Sequence, residues 1–530
     1  MNTGIGAANR QIARAASTVM AAFVLSNLTG LIRQMLVSRA FGTGAEIDAF
    51  NAAARIPDLL FSLIAGGALA SAFIPTYTGF LMEDDRQDAW RLASAIGNLI
   101  SLILAAISAL SALFAPQIIR YGLYVLVPNF DPSQLNLTIS LFRIMLLSPL
   151  IFGISGLLMG ILNANQVFLW PALAPTMYWL GMIFGVLVLV PSWGIRGLAW
   201  GAVLGALMHL FVQLPAFKRL GGQYFATLGL HLAAVREVGR LMAPRLLGVG
   251  VVQLNFLVNT VLALSQPEGS LTAIQIAWAL MTMPQVVIAQ AIAIAALPTF
   301  SAQVARGRPD DMRASLAATL RSVILLSLPA SLGLILLRRP LISLLLQGGE
   351  FGPHSTDLVS WALLWYAAGL VGHSVVEVLA RAFYALHDTK TPVFIGAVAM
   401  SANLGLSVAF SALFSSLGWY PHGGLALANS FATALEMLGL FIWMRRKLRG
   451  LEGTAILRGA GQAVFATAGM SLVLWFWLNR LDHLPNWALV AGGIAFGAGA
   501  YAMVLSLAGV EEFKSLMGVM LRKVRSSTLP

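Results

Sequence analysis

The feature that most constrains this chain is a succession of apolar stretches, each long enough to cross a lipid bilayer as a helix. A transmembrane helix needs about 20 consecutive, mostly apolar residues. The first stretch is long and interrupted by polar residues, so we interpret it as a span and not as a cleaved signal peptide. By this measure the sequence predicts fourteen spans, at residues 15–38, 49–81, 90–116, 136–162, 168–190, 195–216, 238–264, 271–300, 314–337, 357–385, 392–416, 423–444, 456–478 and 486–508.

The composition agrees with this interpretation. Of the 530 residues, 58% are hydrophobic and only 10% are charged, whereas a soluble globular protein is about 25% charged. A soluble chain of this length would form roughly three or four domains, and these charged residues are too few to cover their surfaces. We therefore expect an all-α polytopic membrane protein. The sequence has no cysteine, which excludes disulfides and thiolate chemistry.

The basic residues are concentrated in alternate loops. Of the 33 lysines and arginines, 21 lie in segments predicted to be inside, 6 lie in outer segments and the other 6 lie within spans. An excess of basic residues is typical of cytoplasmic loops, so the pattern predicts that both termini are cytoplasmic. Although the net charge is +12, the basic clusters are short and scattered between apolar spans. We therefore expect no nucleic-acid partner.

A short internal repeat indicates how the spans are organised. Residues 72–77 (AFIPTY) resemble residues 296–300 (ALPTF), so that Pro75 corresponds to Pro298. The two copies lie in the second and the eighth predicted spans, six spans apart, so both copies begin on the same side of the membrane. Parallel repeats of this kind are related by an axis along the membrane normal. The sequence therefore predicts two six-helix lobes, an arrangement typical of alternating-access transporters.

These observations divide the chain into four predicted parts. Residues 1–220 form the N-terminal six-helix lobe and residues 225–450 the C-terminal one. Residues 455–508 hold two extra C-terminal helices outside the repeat. Residues 510–530 form an amphipathic cytoplasmic tail, which we expect to lie along the inner leaflet; the alternative is a solvated tail.

Charged residues within the predicted spans are candidates for a functional site, because a charge near the bilayer centre is costly and usually faces a cavity or a partner. Six of the ten candidates are arginines. Guanidinium groups match the geometry of phosphate, so this excess favours an anionic substrate. The candidates are Arg33, Asp48, Arg55, Asp58, Arg143, Arg245, Arg321, Glu377, Arg381 and Glu436.

Four of these charges have a local alternative. Arg55 and Asp58 are three residues apart, a spacing that allows them to pair along one helix. Glu377 and Arg381 are four residues apart and can pair in the same way.

The other charges divide between the membrane interface and a cavity. Arg143 and Arg321 lie near predicted span ends, where long basic side chains reach the interface. Arg33 and Arg245 have no obvious local partner, which favours a role in a cavity. For Glu436, structural pairing and function stay equally open.

Enzyme motifs are missing from the sequence. It contains no Gly-Lys-Ser/Thr sequence typical of a phosphate-binding loop and no Gly-x-Ser-x-Gly motif. Its seven histidines are dispersed without the spacing of metal ligands. We expect a transporter with no cofactor and no metal, and not an enzyme. Transport then draws on an ion gradient, the membrane potential or the gradient of the substrate.

A group of motifs spans residues 20 to about 450. The most specific block lies in the first two spans, at residues 30–33 (GLIR), 41–44 (FGTG), 48–50 (DAF), 56–60 (IPDLL) and 67–75 (GALASAFIP). Supporting motifs are residues 214–215 (LP), 242–244 (MAP), 259–260 (NT), 297–298 (LP) and 388–392 (DTKTP). Together they resemble the MurJ (MviN) family of lipid II flippases, in the multidrug/oligosaccharidyl-lipid/polysaccharide exporter superfamily.

The resemblance implies a V-shaped pair of lobes around a cationic cavity, with a groove for the lipid tail formed by residues 455–508. It implies a bacterial plasma-membrane protein. The implied substrate is an undecaprenyl-linked disaccharide-pentapeptide, moved from the inner to the outer leaflet for peptidoglycan synthesis. Other partners expected are membrane lipids and a coupling cation or anion, and we expect a monomer.

The resemblance also gives roles to individual residues. Arg33 and Asp48 match charged positions of the family's first block, and the arginines are expected to bind the diphosphate. The family usually has arginine where this chain has Asn27, Phe61 and Ala279, and often glutamate where it has Gly66. The predicted substrate-binding residues are Arg33, Asp48, Arg55, Arg245, Glu377 and Arg381.

Three other functions stay open at this point. One is a flippase for another polyprenyl-linked oligosaccharide, such as an O-antigen precursor. A second is a cation-coupled drug exporter, for which Glu377 and Glu436 would supply carboxylates. The third is a scaffold for cell-wall enzymes that does not transport.

Overall fold

The computed structural model describes residues 2–64, 68–127, 131–510 and Phe513. Within these residues the chain is helical, and the only β-type pairing is an isolated bridge between Gly348 and Phe351. The helices are α1 (Asn2–Phe41), α2 (Ala45–Ile64), α3 (Ala68–Met82), α4 (Arg86–Leu113), α5 (Ala115–Ile118), α6 (Pro132–Met145), α7 (Leu147–Ala164), α8 (Leu169–Phe184), α9 (Val190–Trp193), α10 (Ile195–Phe211), α11 (Leu214–Arg219), α12 (Ala233–Leu264), α13 (Ser270–Gln285), α14 (Ala291–Ala305), α15 (Pro309–Leu346), α16 (Pro353–Ala368), α17 (Leu370–Ala385), α18 (Lys390–Ser416), α19 (His422–Lys447), α20 (Gly453–Arg480) and α21 (Asn486–Leu507). Three π-helical turns, Ile119–Leu123, Gly185–Leu189 and Val286–Gln290, continue α5, α8 and α13.

The helices confirm an all-α polytopic membrane protein. In the described part of the chain, twelve helical segments are long and apolar enough to cross a membrane. A thirteenth is the pair α16 and α17, which is bent by 45°. The predicted span at 49–81 coincides with α2 and α3, and residues 65–67 between them lie outside the described residues. The predicted count of about fourteen is therefore consistent with the structure.

The chain forms two compact units. Unit 1 contains residues 1–271 with 348–351, and unit 2 contains residues 272–347 with 352–530. In unit 1, α12 packs against α2 and α3, although the sequence places it at the start of the C-terminal lobe. The lobe boundaries at 220 and 225 stay a prediction.

In unit 1, two kinds of packing hold the helices. Side chains of α3, α4, α7 and α12 enclose a core in which Phe73, Tyr77 and Leu104 are fully buried. Glycines instead line the crossing of α8 and α10, where a Cβ at Gly181 would meet the backbone of Gly205. Small residues allow membrane helices to approach this closely, since lipid provides no hydrophobic drive between helices.

In unit 2, α14, α15, α17 and α19 enclose a second core that includes Phe300 and Phe383. The two C-terminal helices, α20 and α21, pack against α15 in a separate apolar cluster. The spans beyond the twelve-helix repeat therefore pack on unit 2 mainly through the long helix α15.

Helix ends in the first half of the sequence recur in the second half, and the difference in residue number between the two copies is nearly constant. The helices that contain Pro75 and Pro298 end at Met82 and Ala305, so each helix ends at the same distance in sequence after its proline. At the same offset, the N–H of Asp85 donates to Phe80 O and the N–H of Arg308 donates to Gln303 O, both at 3.0 Å. A matching pair of bonds closes α7 and α17 at a nearly equal offset: Val167 N–H to Leu162 O at 2.9 Å and Asp388 N–H to Phe383 O at 3.0 Å. The internal repeat thus reaches beyond the short proline motif.

Candidate substrate site

Arg33 lies on α1 and faces another helix of unit 1. Its guanidinium carbon is 4.8 Å from the centroid of the Trp179 ring, midway along the span Leu169–Trp193. A snorkelling arginine would instead direct its head to the membrane interface. The Arg33 Nε atom is buried and has no hydrogen-bond partner among the described residues. This half-buried arginine therefore holds an unused donor at mid-membrane depth.

Arg55 lies on α2, and α12 holds it in place. Its Nη2 atom donates to Gln253 Oε1 at 2.9 Å, and its guanidinium carbon is 5.0 Å from the centroid of the Phe256 ring. The carboxylate of Asp58 is exposed and interacts electrostatically with both Arg55 and Arg33. Among the residues that the structure describes, no ion pair joins Arg55 to Asp58, so the local pairing alternative does not hold here. The structure brings Arg33, Arg55 and Asp58 into one electrostatic group.

Asp48 has a different environment. It is only 5% exposed, and its Oδ2 atom accepts a hydrogen bond from the backbone N–H of Gly269 at 2.8 Å. In the opposite direction, Glu268 Oε1 accepts from the backbone N–H of Ala45, the first residue of α2, at 2.6 Å. An acidic side chain is favourable at a helix N-terminus, where N–H groups lack partners. These contacts make Asp48 a residue that fixes the start of α2 to the loop after α12.

The side chain of Arg245 lies outside the described residues, although its backbone belongs to α12. The structure also places two of the positions where the resembling family has arginine. The Phe61 ring lies 4.7 Å from the Phe152 ring, centroid to centroid, and Asn27 donates to the backbone oxygen of Phe23 at 2.8 Å. Phe61 thus packs against a neighbouring helix, and Asn27 bonds the backbone of its own helix.

The remaining replaced positions add no charge. Ala279 is exposed, and Gly66 lies outside the described residues.

Glu377 and Arg381 pair along α17, as the local alternative predicts. The distance between Arg381 Nη2 and Glu377 Oε1 is 2.6 Å, and both side chains are about a fifth exposed (22% and 23%). Arg381 also lies over the ring of Tyr384 at 5.9 Å. The two residues belong to unit 2, so the predicted set divides between the units of the chain.

The other intramembrane charges occupy helix contacts. Arg143 is exposed and its Nε donates to Ala112 O at 3.1 Å, which agrees with its position near a span end. Glu436 on α19 is half-buried, and its carboxylate lies close to Gly396 on α18.

A cavity of about 610 Å³ lies in unit 2 between α13, α15, α20 and α21. Its lining is almost entirely apolar and includes Leu337, Leu474, Ile494, Tyr501 and Phe513. Such a cavity accommodates a hydrocarbon chain and offers little to a charged group. It lies where the resemblance implies a lipid-tail groove. Of the predicted tail, residues 511–512 and 514–530 lie outside the described residues.

No group of three or more histidine, aspartate or glutamate side chains within the described ranges could hold a metal ion.

Sequence reasoning missed Gln253, which accepts a hydrogen bond from Arg55, and Trp179, whose ring lies against Arg33. A polar glutamine in an otherwise apolar span was a usable signal for the first. Nothing in the sequence distinguishes Trp179 from the twelve other tryptophans.

The site can be compared with known proteins. Residues 37–490 match the family described as "Lipid II flippase MurJ". A lipid II flippase MurJ of Burkholderia cenocepacia is 30% identical over 519 residues, which cover 94% of this chain and 98% of that protein.

Two solved structures share the fold. A lipid II flippase MurJ in the inward closed conformation has a TM-score of 0.79 at 24% identity, covering 94% of this chain and 99% of that one. An inward-facing multidrug transporter of the MATE family and MOP superfamily has a TM-score of 0.66 at 15% identity, covering 82% and 96%. Since the family match extends over most of the sequence and the relative is aligned over nearly its full length, the chain belongs to the lipid II flippase MurJ family.

Proposed function

We propose that this protein moves lipid II, the undecaprenyl-diphosphate-linked peptidoglycan precursor, from the inner to the outer leaflet of the bacterial inner membrane by alternating access. The observation that carries the proposal is the unpartnered Nε of Arg33, an arginine that interacts with the same carboxylate, Asp58, as Arg55 does, in a chain of this family. A half-buried guanidinium with a free donor is suited to a diphosphate, which accepts hydrogen bonds from planar donor pairs.

Within this function, each predicted residue takes a distinct role. Arg33 and Arg55 bind the diphosphate, and Arg245 adds charge from α12. Asp48 positions α2 through its bond to Gly269 and touches no substrate. In unit 2, Arg381 is the second cationic contact and Glu377 is its counter-ion.

The lipid tail occupies the apolar cavity beside α20 and α21. An undecaprenyl chain is hydrocarbon throughout, and the lining of the cavity offers it the same environment as the bilayer interior. The tail therefore stays in lipid-like surroundings while the headgroup crosses.

The finer features of the proposal concern topology and energy. Both termini are cytoplasmic, as the distribution of basic residues supports. The protein works as a monomer, carries out no covalent chemistry and couples transport to an ion. The lobes comprise residues 1–220 and 225–450, a division that the recurring helix ends support.

Two experiments test the function. In a bacterium depleted of its own lipid II flippase, this protein should restore growth, and in proteoliposomes it should move a fluorescent lipid II analogue between leaflets. A well-inserted protein that does neither would contradict the proposal. Movement of another undecaprenyl-diphosphate-linked glycan without lipid II would assign the chain to a different lipid-linked substrate.

A further inference from the structure

Three ionisable side chains form a stripe along one face of α17. His373, Glu377 and Arg381 follow each other at intervals of four residues, which places them on the same side of the helix. All three are half-buried, and they lie in the C-terminal half of the bent helix pair that runs from Pro353 to Ala385. The Glu377–Arg381 pair is part of the proposed substrate site. His373 has no role in it so far.

His373 is held in a defined orientation. Its Nε2 atom is 3.1 Å from Asn429 Oδ1 and 3.2 Å from Thr433 Oγ1, both on α19. The ring packs edge to face on Trp278 at 5.4 Å. Because the amide oxygen of Asn429 only accepts, Nε2 carries a hydrogen and Nδ1 is the atom that can take a further proton.

Glu377 lies one helical turn from both of its basic neighbours. It now pairs with Arg381 at 2.6 Å. A proton on His373 would place a second cation at the same distance along the helix, on the other side of the carboxylate. In a membrane interior, where water screens charges poorly, the imidazolium and the guanidinium compete for this one carboxylate.

The helices around the stripe bring few other charges to it. The stretch 270–305, which holds α13 and α14, has no charged or histidine residue. On the remaining neighbouring helices, Glu436 of α19 faces Gly396 of α18, and Arg321 of α15 faces Gly459 of α20. Asp357 of α16 pairs with Arg339 of α15, and His422 of α19 bonds Leu358 O. Lys447 of α19 pairs with Asp388, which lies beyond the end of α17.

The stripe is present in only one copy of the repeat. The offset that relates Val167 at the end of α7 to Asp388 at the end of α17 makes Phe152, Gly156 and Gly160 the equivalent positions on α7. A scaffold requirement of the fold would apply to both copies. The ionisable stripe of α17 is therefore a specialisation of unit 2, as expected of a functional charge inside a membrane.

We propose that His373 is a proton-binding site that controls whether Arg381 is available to an anionic substrate. A proton from water on one side of the membrane adds to Nδ1, and the imidazolium draws the Glu377 carboxylate away from Arg381. The freed guanidinium then binds the diphosphate headgroup. Loss of the same proton to the other side restores the Glu377–Arg381 pair and releases the headgroup. The role of Arg381 rests on the proposed function, whereas the proton site itself does not.

Proton binding can be measured without substrate. In protein labelled with ¹⁵N at histidine, the signal that disappears in His373→Gln identifies the ring, and we expect its shifts to titrate between about pH 4 and pH 8. In Glu377→Gln the titration should occur at lower pH, because the carboxylate that stabilises the imidazolium is gone. A His373 signal that stays constant over this range would overturn the proton site.

Coupling is measured in proteoliposomes with a fluorescent lipid II analogue. A gradient of one pH unit should change the distribution of the lipid by up to about tenfold per coupled proton in the wild type. The same gradient should have no effect in His373→Gln. The matched control is His483→Gln, since His483 is 68% exposed in the loop between α20 and α21, and it should behave as the wild type.

Three further outcomes each count against one part of the proposal. Equal gradient dependence in the wild type and His373→Gln would overturn the coupling. A response to an equal sodium gradient, with none to protons, would assign the coupling to sodium and overturn it as well. Absence of lipid movement in every sample would count against the proposed function instead, and the histidine titration would then decide on the proton site alone.

Discussion

Arg33 gives the sharpest test of the substrate site. Arg33→Lys keeps the positive charge but loses the planar fork that binds two phosphate oxygens. A hydrogen bond to a charged group is worth about 1.5–3 kcal/mol, so Arg33→Lys should lower the flipping rate by about 10- to 100-fold.

Arg33→Ala removes more. It also loses the positive charge that the lysine keeps, and hydrogen bonds to an ionised partner are roughly twice as strong as those between neutral groups. The two contributions together predict a loss of more than about 100-fold. Both variants should reach the membrane in normal amounts, because the Arg33 Nε makes no hydrogen bond within the described residues that the substitution would break.

The assay is the initial rate of flipping of a fluorescent lipid II analogue, normalised to inserted protein. Arg143→Lys is the matched control, because Arg143 also lies in a predicted span but is exposed, and its Nε donates to the carbonyl of Ala112. It should stay within about twofold of the wild type, as expected of an exposed charge. An Arg33→Ala protein that is normally inserted and fully active would refute the reasoning and remove Arg33 from the site.

Three further predictions concern an ion pair, a buried hydrogen bond and the acid dependence of stability. In a double-mutant cycle on thermal stability, Glu377→Gln and Arg381→Gln should be non-additive by about 0.5–3 kcal/mol, and additive losses would show that the pair contributes nothing. Asp48→Ala should lower the free energy of unfolding by about 1–3 kcal/mol, because the buried N–H of Gly269 loses its acceptor; an unchanged melting temperature would contradict this. Lys447 and the bonds from Thr391 lower the pKa of Asp388 to about 2, so its contribution to stability is complete above about pH 4 and is lost as the pH falls towards 2. Asp388→Asn should flatten the acid side of the stability profile, and an identical profile would show that Asp388 is not the titrating group.

The apolar pattern alone predicted much of the fold. In the described residues, each predicted span coincides with one helix or with consecutive helices, because the thickness of the bilayer sets a length of apolar sequence that can be read directly. The repeat was visible at Pro75 and Pro298, since a kink or turn requires the same residue types in both copies. The pairing of Glu377 with Arg381 was one of the alternatives that the sequence left open, because residues four apart on a helix are neighbours, and the structure shows it.

The partners of the other charges were decided only by the tertiary structure. Arg55 and Gln253 are 198 residues apart, and Asp48 and Gly269 are 221 residues apart. Helical periodicity relates residues within one helix and carries no information on which distant helix will lie beside it. The sequence therefore predicted which charges lie within apolar spans. Only the packing of the helices decided that Arg33 keeps a free donor beside Trp179, while Asp48, which the sequence also predicted to be intramembrane, is used to hold a loop.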